Sequence, residues 1–243
     1  MEPEVKLSGG RITPGVVRIG DTVRRPVTAS SAFVADLLGL LEQYGFTGAP
    51  RYLGRDDAGR DSFGYLPGWV PATFQRWTDA QVAAAGALLG SLHEATRGST
   101  LAAASAVVCH HDPGPNNTVF VDNRPSAFID FDTAAPGDPL EDLGYMAWTW
   151  CISSRRDAPP AGEQATQVRI LTDAYGLDAH GRSGLIDAML DRQTRNARWW
   201  RERSAGPGPQ LASADQILSR ITWSEREHAF TVANRPALLS ALR

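Results

Sequence analysis

Three polar side chains that suit phosphate and metal chemistry lie within one short stretch of the chain. His110-x-Asp112 is followed five residues later by Asn117, and an I-D-F-D run then supplies Asp130. A carboxylate can orient or deprotonate a hydroxyl group, and carboxylate and amide oxygens are ligands that suit Mg²⁺. Phosphoryl transfer from a nucleotide to a hydroxyl needs this combination. We therefore interpret residues 109–150 as the chemical centre.

A short hairpin is predicted to bring two of these side chains together. Thr118–Val121 and Ser126–Ile129 have the apolar, β-branched and aromatic composition of strands, and Asp122–Pro125 between them is typical of a turn. A hairpin centred on that turn places Asn117 opposite Asp130. Directly opposed residues lie roughly 4.5–5.5 Å apart, which suits two ligands of one magnesium site.

The first third of the chain predicts a small sheet with one helix. The helix begins after Ser30 or Ser31, carries apolar residues at helical spacing and ends at Gly45. The Gly20-Asp21 pair predicts a tight hairpin turn. The predicted strands are Val5–Leu7, Gly15–Ile19, Asp21–Arg25, Pro50–Leu53 and Ser62–Leu66.

The rest of the chain predicts mainly helices. Thr78 opens a capping-box pattern, and Asp138-Pro139 is typical of a helix start. Further helices are predicted at 162–175, 183–203 and 213–233. The sequence thus predicts an α+β protein of two lobes: a sheet-rich N-terminal nucleotide-binding lobe, 1–67, and a larger, mainly helical catalytic and substrate-binding lobe, 68–243.

Composition excludes several classes of function. The formal net charge is -3, so no general affinity for nucleic acid is expected. No run approaches the roughly 20 apolar residues that cross a bilayer, and the N-terminus has no signal pattern, so we expect no membrane partner. The 2 cysteines are best interpreted as reduced thiols of a cytoplasmic protein. Both a monomer and a homodimer remain open.

The motifs resemble those of a known family of small-molecule kinases. The run from His110 to Asn117 resembles the H-G-D-L-H-P-G-N signature of aminoglycoside phosphotransferases and their choline-kinase-like relatives. The I-D-F-D run resembles their metal motif, and Gly137-Asp138-Pro139 with Asp142 is similar to their G-D-P-x-x-D-L helix start. The resemblance covers most of residues 5–150.

This resemblance implies a protein-kinase-like fold and a role for each motif residue. Asp112 would be the catalytic base, and Asn117 and Asp130 would hold Mg²⁺. ATP, or GTP, would lie between the lobes. The residues implied to bind the nucleotide are Ser8, Gly9 and Gly10 over the phosphates, Arg24 at the phosphates, and Tyr65 and Leu66 at the adenine.

The chain also departs from the family pattern. His111 stands where the family usually has Gly, and Arg24, or less favourably Arg25, stands for the phosphate-holding Lys. Neither Asp36 nor Glu42 aligns with the Glu that normally pairs with that Lys. Candidate contacts to the acceptor are His111, Asp132 and Trp150, each with a structural role as the alternative.

The sequence therefore predicts an ATP- and magnesium-dependent kinase that phosphorylates a hydroxyl group of a small molecule. The acceptor would be an antibiotic, such as an aminoglycoside, or a metabolite. The alternative is a non-catalytic binding or immunity protein on the same fold. A protein kinase is disfavoured, because no activation segment ending in A-P-E follows Asp130.

Overall fold

A computed structural model describes residues 3–7, 15–73, 75–205 and 212–243. Its N-terminal part is a five-stranded antiparallel sheet in the order β1-β2-β3-β5-β4, packed against one helix. The strands are β1 (Val5–Lys6), β2 (Val17–Ile19), β3 (Thr22–Arg25), β4 (Tyr52–Arg55) and β5 (Asp61–Gly64), and the helix is α1 (Ser31–Gln43).

Local sequence explains the turns and the packing of this sheet. Ile19 pairs with Thr22, so Gly20-Asp21 forms the predicted two-residue turn, and Gly20 has a φ of 56° that favours glycine. Helix α1 buries Val34 and Leu38 against the sheet, because these residues recur on one helical face.

The remainder of the molecule is mainly helical, as the sequence predicts. Its helices are α2 (Asp79–Thr96), α3 (Pro139–Met146), α4 (Ala161–Tyr175), α5 (Ala179–Ala205), α6 (Ala214–Ala233) and α7 (Arg235–Ala241). The predicted capping box at Thr78 is present, and so is one at Asp138. Helix α7 is not predicted by the sequence, and α5 begins earlier than expected. None of the helices in the described ranges has the length and apolar character needed to cross a bilayer.

Two small two-stranded sheets carry the motif segment. Strand β6 (Val107–Cys109) pairs with β9 (Ala135–Gly137), and β7 (Thr118–Val121) pairs with β8 (Arg124–Phe128). The first pair has no strong sequence signal, since each strand has three residues.

The predicted register of the β7–β8 hairpin is wrong, by two residues next to the turn and by one residue beyond a bulge. The turn contains only Asp122 and Asn123, both at positive φ, so Val121 pairs with Arg124 and a bulge follows at Ser126. Thr118 therefore faces Phe128, not Ile129. The four-residue turn was expected because Pro125 suggested turn chemistry, but Pro is also tolerated at an edge or bulge.

The connection between the sheet and α2 packs onto this hairpin. Trp69 and Phe120 exchange backbone hydrogen bonds of 3.0 and 2.8 Å, and their rings stack at 4.7 Å. Gly68, with a φ of 144°, allows this approach, because a Cβ atom there would lie 2.5 Å from the Phe120 carbonyl oxygen. The predicted boundary at residue 67 falls in this connection and remains a prediction.

Candidate active site

A large cavity lies between the sheet and the helices, with a volume of about 2410 Å³. Its lining includes Asp112, Asn117 and Asp130, the three side chains singled out by spacing. Apolar residues of the sheet and α1 also line this cavity, namely Val16, Val23, Val34, Leu38 and Phe63. One cavity thus joins an apolar slot to a polar loop.

Asp142 holds the polar loop in shape from behind. Its two carboxylate oxygens accept hydrogen bonds from the backbone N–H groups of His110 and His111, both at 2.7 Å, and it lies 3.0 Å from His93 Nε2. Burial alone would raise the pKa of Asp142, but the hydrogen bond and charge of His93 hold that pKa below its usual value. A buried ionised carboxylate therefore fixes the loop backbone.

His111 adopts a left-handed backbone, with a φ of 63°. This conformation explains why glycine is the usual residue at this position in the resembling family. In this chain the His111 ring is held instead by the Thr133 carbonyl oxygen at 3.0 Å and by Glu141 at 3.5 Å. Of its two predicted roles, the geometry favours loop support.

Asp112 and Asn117 are in direct contact. Asn117 Nδ2 donates to Asp112 Oδ2 at 2.8 Å and to the Asp112 carbonyl oxygen at 3.0 Å. Burial raises the pKa of Asp112, although a hydrogen bond from the Tyr145 hydroxyl and the charge of Arg192 oppose the rise. The Asp112 carboxylate is thus oriented by an amide and a phenol.

Asp130 lies just past the end of the hairpin, also in a left-handed backbone conformation with a φ of 65°. Because Ile129 N–H donates to Asn117 O at 2.9 Å, Asn117 lies opposite Ile129 and not opposite Asp130 as predicted. Asp130 is nonetheless close enough that Asp132 and Asp112 add to burial in raising its pKa.

These residues fit a divalent cation. Within the described ranges, no residue donates a hydrogen bond to the Asp130 carboxylate, which lines the cavity beside Asn117. Burial, followed by repulsion from Asp132 and Asp112, raises the pKa of Asp130, and a bound cation would offset this repulsion. Oxygen donors from Asp130 and Asn117 match the preference of Mg²⁺.

The arginine that faces the cavity is Arg25, and the preference for Arg24 is corrected. Successive side chains of β3 point to opposite faces, and Val23 and Arg25 line the cavity. Arg24 lies on the other face, where it contacts Ser62 and lies 3.5 Å from Asp56. The sequence does not reveal which face of β3 is covered.

Arg25 pairs with a carboxylate from the motif segment. Arg25 Nη2 lies 2.5 Å from Asp132 Oδ1, and the guanidinium lies over the Phe63 ring at 5.0 Å. Ser30 also donates to Asp132 at 3.3 Å. Asp132 thus acts as the acidic partner that α1 does not provide. Because its carboxylate faces Arg25, the geometry disfavours the predicted contact of Asp132 with the acceptor.

The remaining predicted residues divide into three groups. Tyr65 and Leu66 line the cavity just after β5, where they meet the apolar slot. Trp150 is buried, and its indole N–H donates to the Pro113 carbonyl oxygen at 3.0 Å. This contact favours the structural role, in which Trp150 supports the loop. The predictions for Ser8, Gly9 and Gly10 lie outside the described residues.

Two residues beside Asp112 are not predicted by the sequence. Tyr145 comes from α3 and hydrogen bonds to Asp112, while Arg192 comes from α5 and donates to the His111 carbonyl oxygen. Neither has a local motif. A faint signal for Arg192 is its position three residues before the basic run that starts at Arg195.

The fold and this loop are those of a family of phosphotransferases. The family model described as "Phosphotransferase enzyme family" matches residues 34–185, and the chain belongs to this family. The α+β, two-lobed protein-kinase-like fold expected from the sequence is thereby confirmed.

A curated relative and several solved structures are similar along the whole chain. A trifolitoxin immunity protein of Rhizobium leguminosarum bv. trifolii is 28% identical over 264 aligned residues, which cover 100% of both chains. A choline/ethanolamine kinase family protein of Mesorhizobium loti has a TM-score of 0.60 at 20% identity, covering 99% of this chain and 92% of the other. Spectinomycin phosphotransferase, solved with ADP and spectinomycin, has a TM-score of 0.68 at 11% identity, covering 97% and 93%.

Proposed function

We propose that the protein transfers the γ-phosphoryl group of ATP to a hydroxyl group of a small molecule. The observation that carries this proposal is the lining of one cavity by Asp112, Asn117 and Asp130 together with apolar residues of the sheet and α1 that could hold a nucleotide base. Membership of a phosphotransferase family supports the same reaction class. The two free, buried cysteines fit the cytosol, where ATP is present.

The reaction assigns one role to each group. Asp112 accepts a hydrogen bond from the acceptor hydroxyl and takes its proton as the new oxygen–phosphorus bond forms and ADP leaves. Asn117 holds the Asp112 carboxylate through Nδ2. Asp130 and Asn117 Oδ1 would hold Mg²⁺, which neutralises charge on the phosphates when bound. Arg25 would approach the phosphates from β3.

Substitution of Asp112 tests this assignment. Asp112→Ala should lower kcat by about 10²–10⁴-fold, because a general base is removed, while the affinity for Mg-ATP stays nearly unchanged. Phosphate transfer from γ-labelled ATP to a panel of hydroxylated antibiotics and metabolites measures the first quantity. Nucleotide titration measures the second. Full turnover by Asp112→Ala would remove Asp112 from the mechanism.

A second candidate function is immunity without catalysis. It is favoured by the full-length similarity to a trifolitoxin immunity protein. Expression of the wild type and of Asp112→Ala in a trifolitoxin-sensitive strain separates the two functions. Protection by both proteins would indicate binding alone, whereas protection by the wild type only would indicate that phosphoryl transfer underlies it.

A further inference from the structure

The wall of the cavity beyond Asp112 is formed largely by α5, α6 and the segment before α4, and it is rich in arginine. Its charged lining comprises Arg155, Arg192, Arg195, Arg198, Arg220 and Arg226 against Asp157, Glu202, Asp215 and Glu227. The nucleotide phosphates and Mg²⁺ are expected nearer to Asp130 and Arg25, so these arginines face the acceptor end.

Several of these arginines are neutralised within the wall. Arg195 lies 3.0 Å from Glu141 and 2.7 Å from Asp191, and Arg155 lies 3.1 Å from Asp157. Such pairs leave little net charge for a ligand. An arginine of this wall that has no carboxylate partner differs from them, because its charge is not neutralised.

Arg192 is such an arginine. Within the part of the chain that the structure describes, no carboxylate lies within ion-pair distance of it. Its guanidinium donates to the His111 carbonyl oxygen and lies 4.8 Å from the centre of the Tyr145 ring. Its Nε is buried and has no hydrogen-bond partner. A buried, unsatisfied donor on a cation is unfavourable unless a ligand completes it.

Arg220 of α6 lines the same wall, where it also interacts with neighbouring groups. Burial and Asp112 raise the pKa of Tyr145, and both Arg192 and Arg220 act against that rise. Arg192 lies against the Tyr145 ring, Arg220 lines the same cavity, and the Tyr145 hydroxyl hydrogen bonds to Asp112. We call Arg192 and Arg220 the arginine pair. It comes from two helices that pack against each other, and the charge of Arg192 acts on the Asp112 carboxylate.

We propose that the acceptor carries an oxyanionic group, a carboxylate or a phosphate ester, close to the hydroxyl that is phosphorylated, and that the arginine pair binds this group. Guanidinium forks bind oxyanions through paired, charge-assisted hydrogen bonds. A polycationic acceptor such as an aminoglycoside would place like charges against the arginine pair. This inference rests on the proposed phosphotransfer, because it names the substrate class of that site.

Anion binding tests the arginine pair directly. Inorganic phosphate is titrated into the wild-type protein saturated with magnesium and a non-hydrolysable ATP analogue, and the melting temperature is followed. We expect phosphate to raise the melting temperature of the wild type. Arg192→Met and Arg220→Met should each weaken the apparent phosphate affinity about tenfold. Arg192→Lys should recover part of it, since lysine restores the charge without the fork.

Arg201→Met is the matched control, because Arg201 also lies on α5 but outside the cavity lining and pairs with Glu225. This variant should bind phosphate as the wild type does. Absence of a phosphate-dependent shift in the wild type would overturn the proposal. An equal shift in the wild type and Arg192→Met would also overturn it.

A charge series of acceptors gives an independent readout. Glucose, glucosamine, gluconate and glucose 6-phosphate share one scaffold and differ in charge, and each is tested as an acceptor and as a competitor of phosphate. We expect the two anionic compounds to compete and glucosamine not to compete. Competition by glucosamine alone contradicts the proposal.

The outcome for the arginine pair is separable from that for phosphotransfer. Failure to bind Mg-ATP would reject the proposed function. The phosphate titration would then be repeated without nucleotide, and the difference between Arg192→Met and Arg201→Met would still decide the anion site.

Discussion

The loop around Asp112 depends on side chains that satisfy its backbone. His111 has a positive φ, which is unfavourable for a residue with a side chain, and Asp142 holds this conformation by accepting hydrogen bonds from the successive backbone N–H groups of His110 and His111. The Asp112 carboxylate is therefore positioned by a second carboxylate, Asp142, which does not itself line the cavity. In the proposed reaction, Asp112 takes the proton and Asp142 only holds the loop.

Substitution of Asp142 should destabilise the protein strongly. Asp142→Asn replaces one accepting oxygen by a donor that faces a backbone N–H, so we expect a loss of about 2–4 kcal/mol in the free energy of unfolding. Urea denaturation measures the loss. Asp36→Asn, at an exposed position of α1, is the control and should change stability by less than about 0.5 kcal/mol.

Asp142 should also affect how the free energy of unfolding falls at acidic pH. The folded-state pKa of Asp142 is lowered, so its stabilisation is fully present above the unfolded pKa of about 3.9 and is lost as the pH falls through the folded value. Unfolding free energies measured from pH 6 down to pH 2 should therefore fall less steeply in Asp142→Asn than in the wild type. Parallel curves would mean that Asp142 does not contribute to the acid transition.

At the scale of elements, strand β3 separates two neighbouring arginines by face. Arg25 lies at the cavity with Asp132, and Arg24 lies on the opposite face with Asp56. The alternation follows from strand geometry and leaves only one of them near the proposed phosphates.

This difference predicts unequal effects of two adjacent substitutions. Arg25→Met should raise KM for ATP about tenfold, because a charge beside the phosphates is removed. Arg24→Met should leave KM within about twofold. Steady-state kinetics in ATP measures both. Equal effects, or a larger effect at Arg24, would contradict the assignment of Arg25.

Close helix packing predicts a second pair of outcomes. A Cβ atom on Gly86 of α2 would lie inside van der Waals distance of the Leu171 carbonyl oxygen of α4, whereas one on Gly39 of α1 would meet nothing within 4 Å. We expect Gly86→Ala to destabilise by about 1–3 kcal/mol. Gly39→Ala should stabilise by about 0.5–1 kcal/mol, since glycine is a poor helix former. Thermal denaturation of both variants tests the difference.

For the whole molecule, the cavity joins the sheet to the helices, so a bound nucleotide should stabilise both. At a ligand concentration of about 100 times Kd, the gain is about 2.7 kcal/mol, which raises the Tm of a protein of this size by roughly 5–10 °C. Asp130→Asn should abolish the magnesium-dependent part of the shift. A shift that is identical with and without magnesium would argue against metal ligation at Asp130.

The amino-acid sequence alone determined the features that depend on neighbouring residues. Helix caps at Thr78 and Asp138, the Gly20-Asp21 turn and the spacing of Asp112 and Asn117 all follow from local chemistry. The structure agrees with each of them because residues a few positions apart are held by the geometry of their own helix, turn or loop.

Only the tertiary structure decided the features that depend on distant contacts. The covered face of β3 selects Arg25, the bulge sets Asn117 opposite Ile129, and Asp132 becomes the partner of Arg25. Arg192 reaches the loop around Asp112 from a helix 80 residues away in the chain. Such pairings are set by which surfaces are buried together, and no local pattern carries that information.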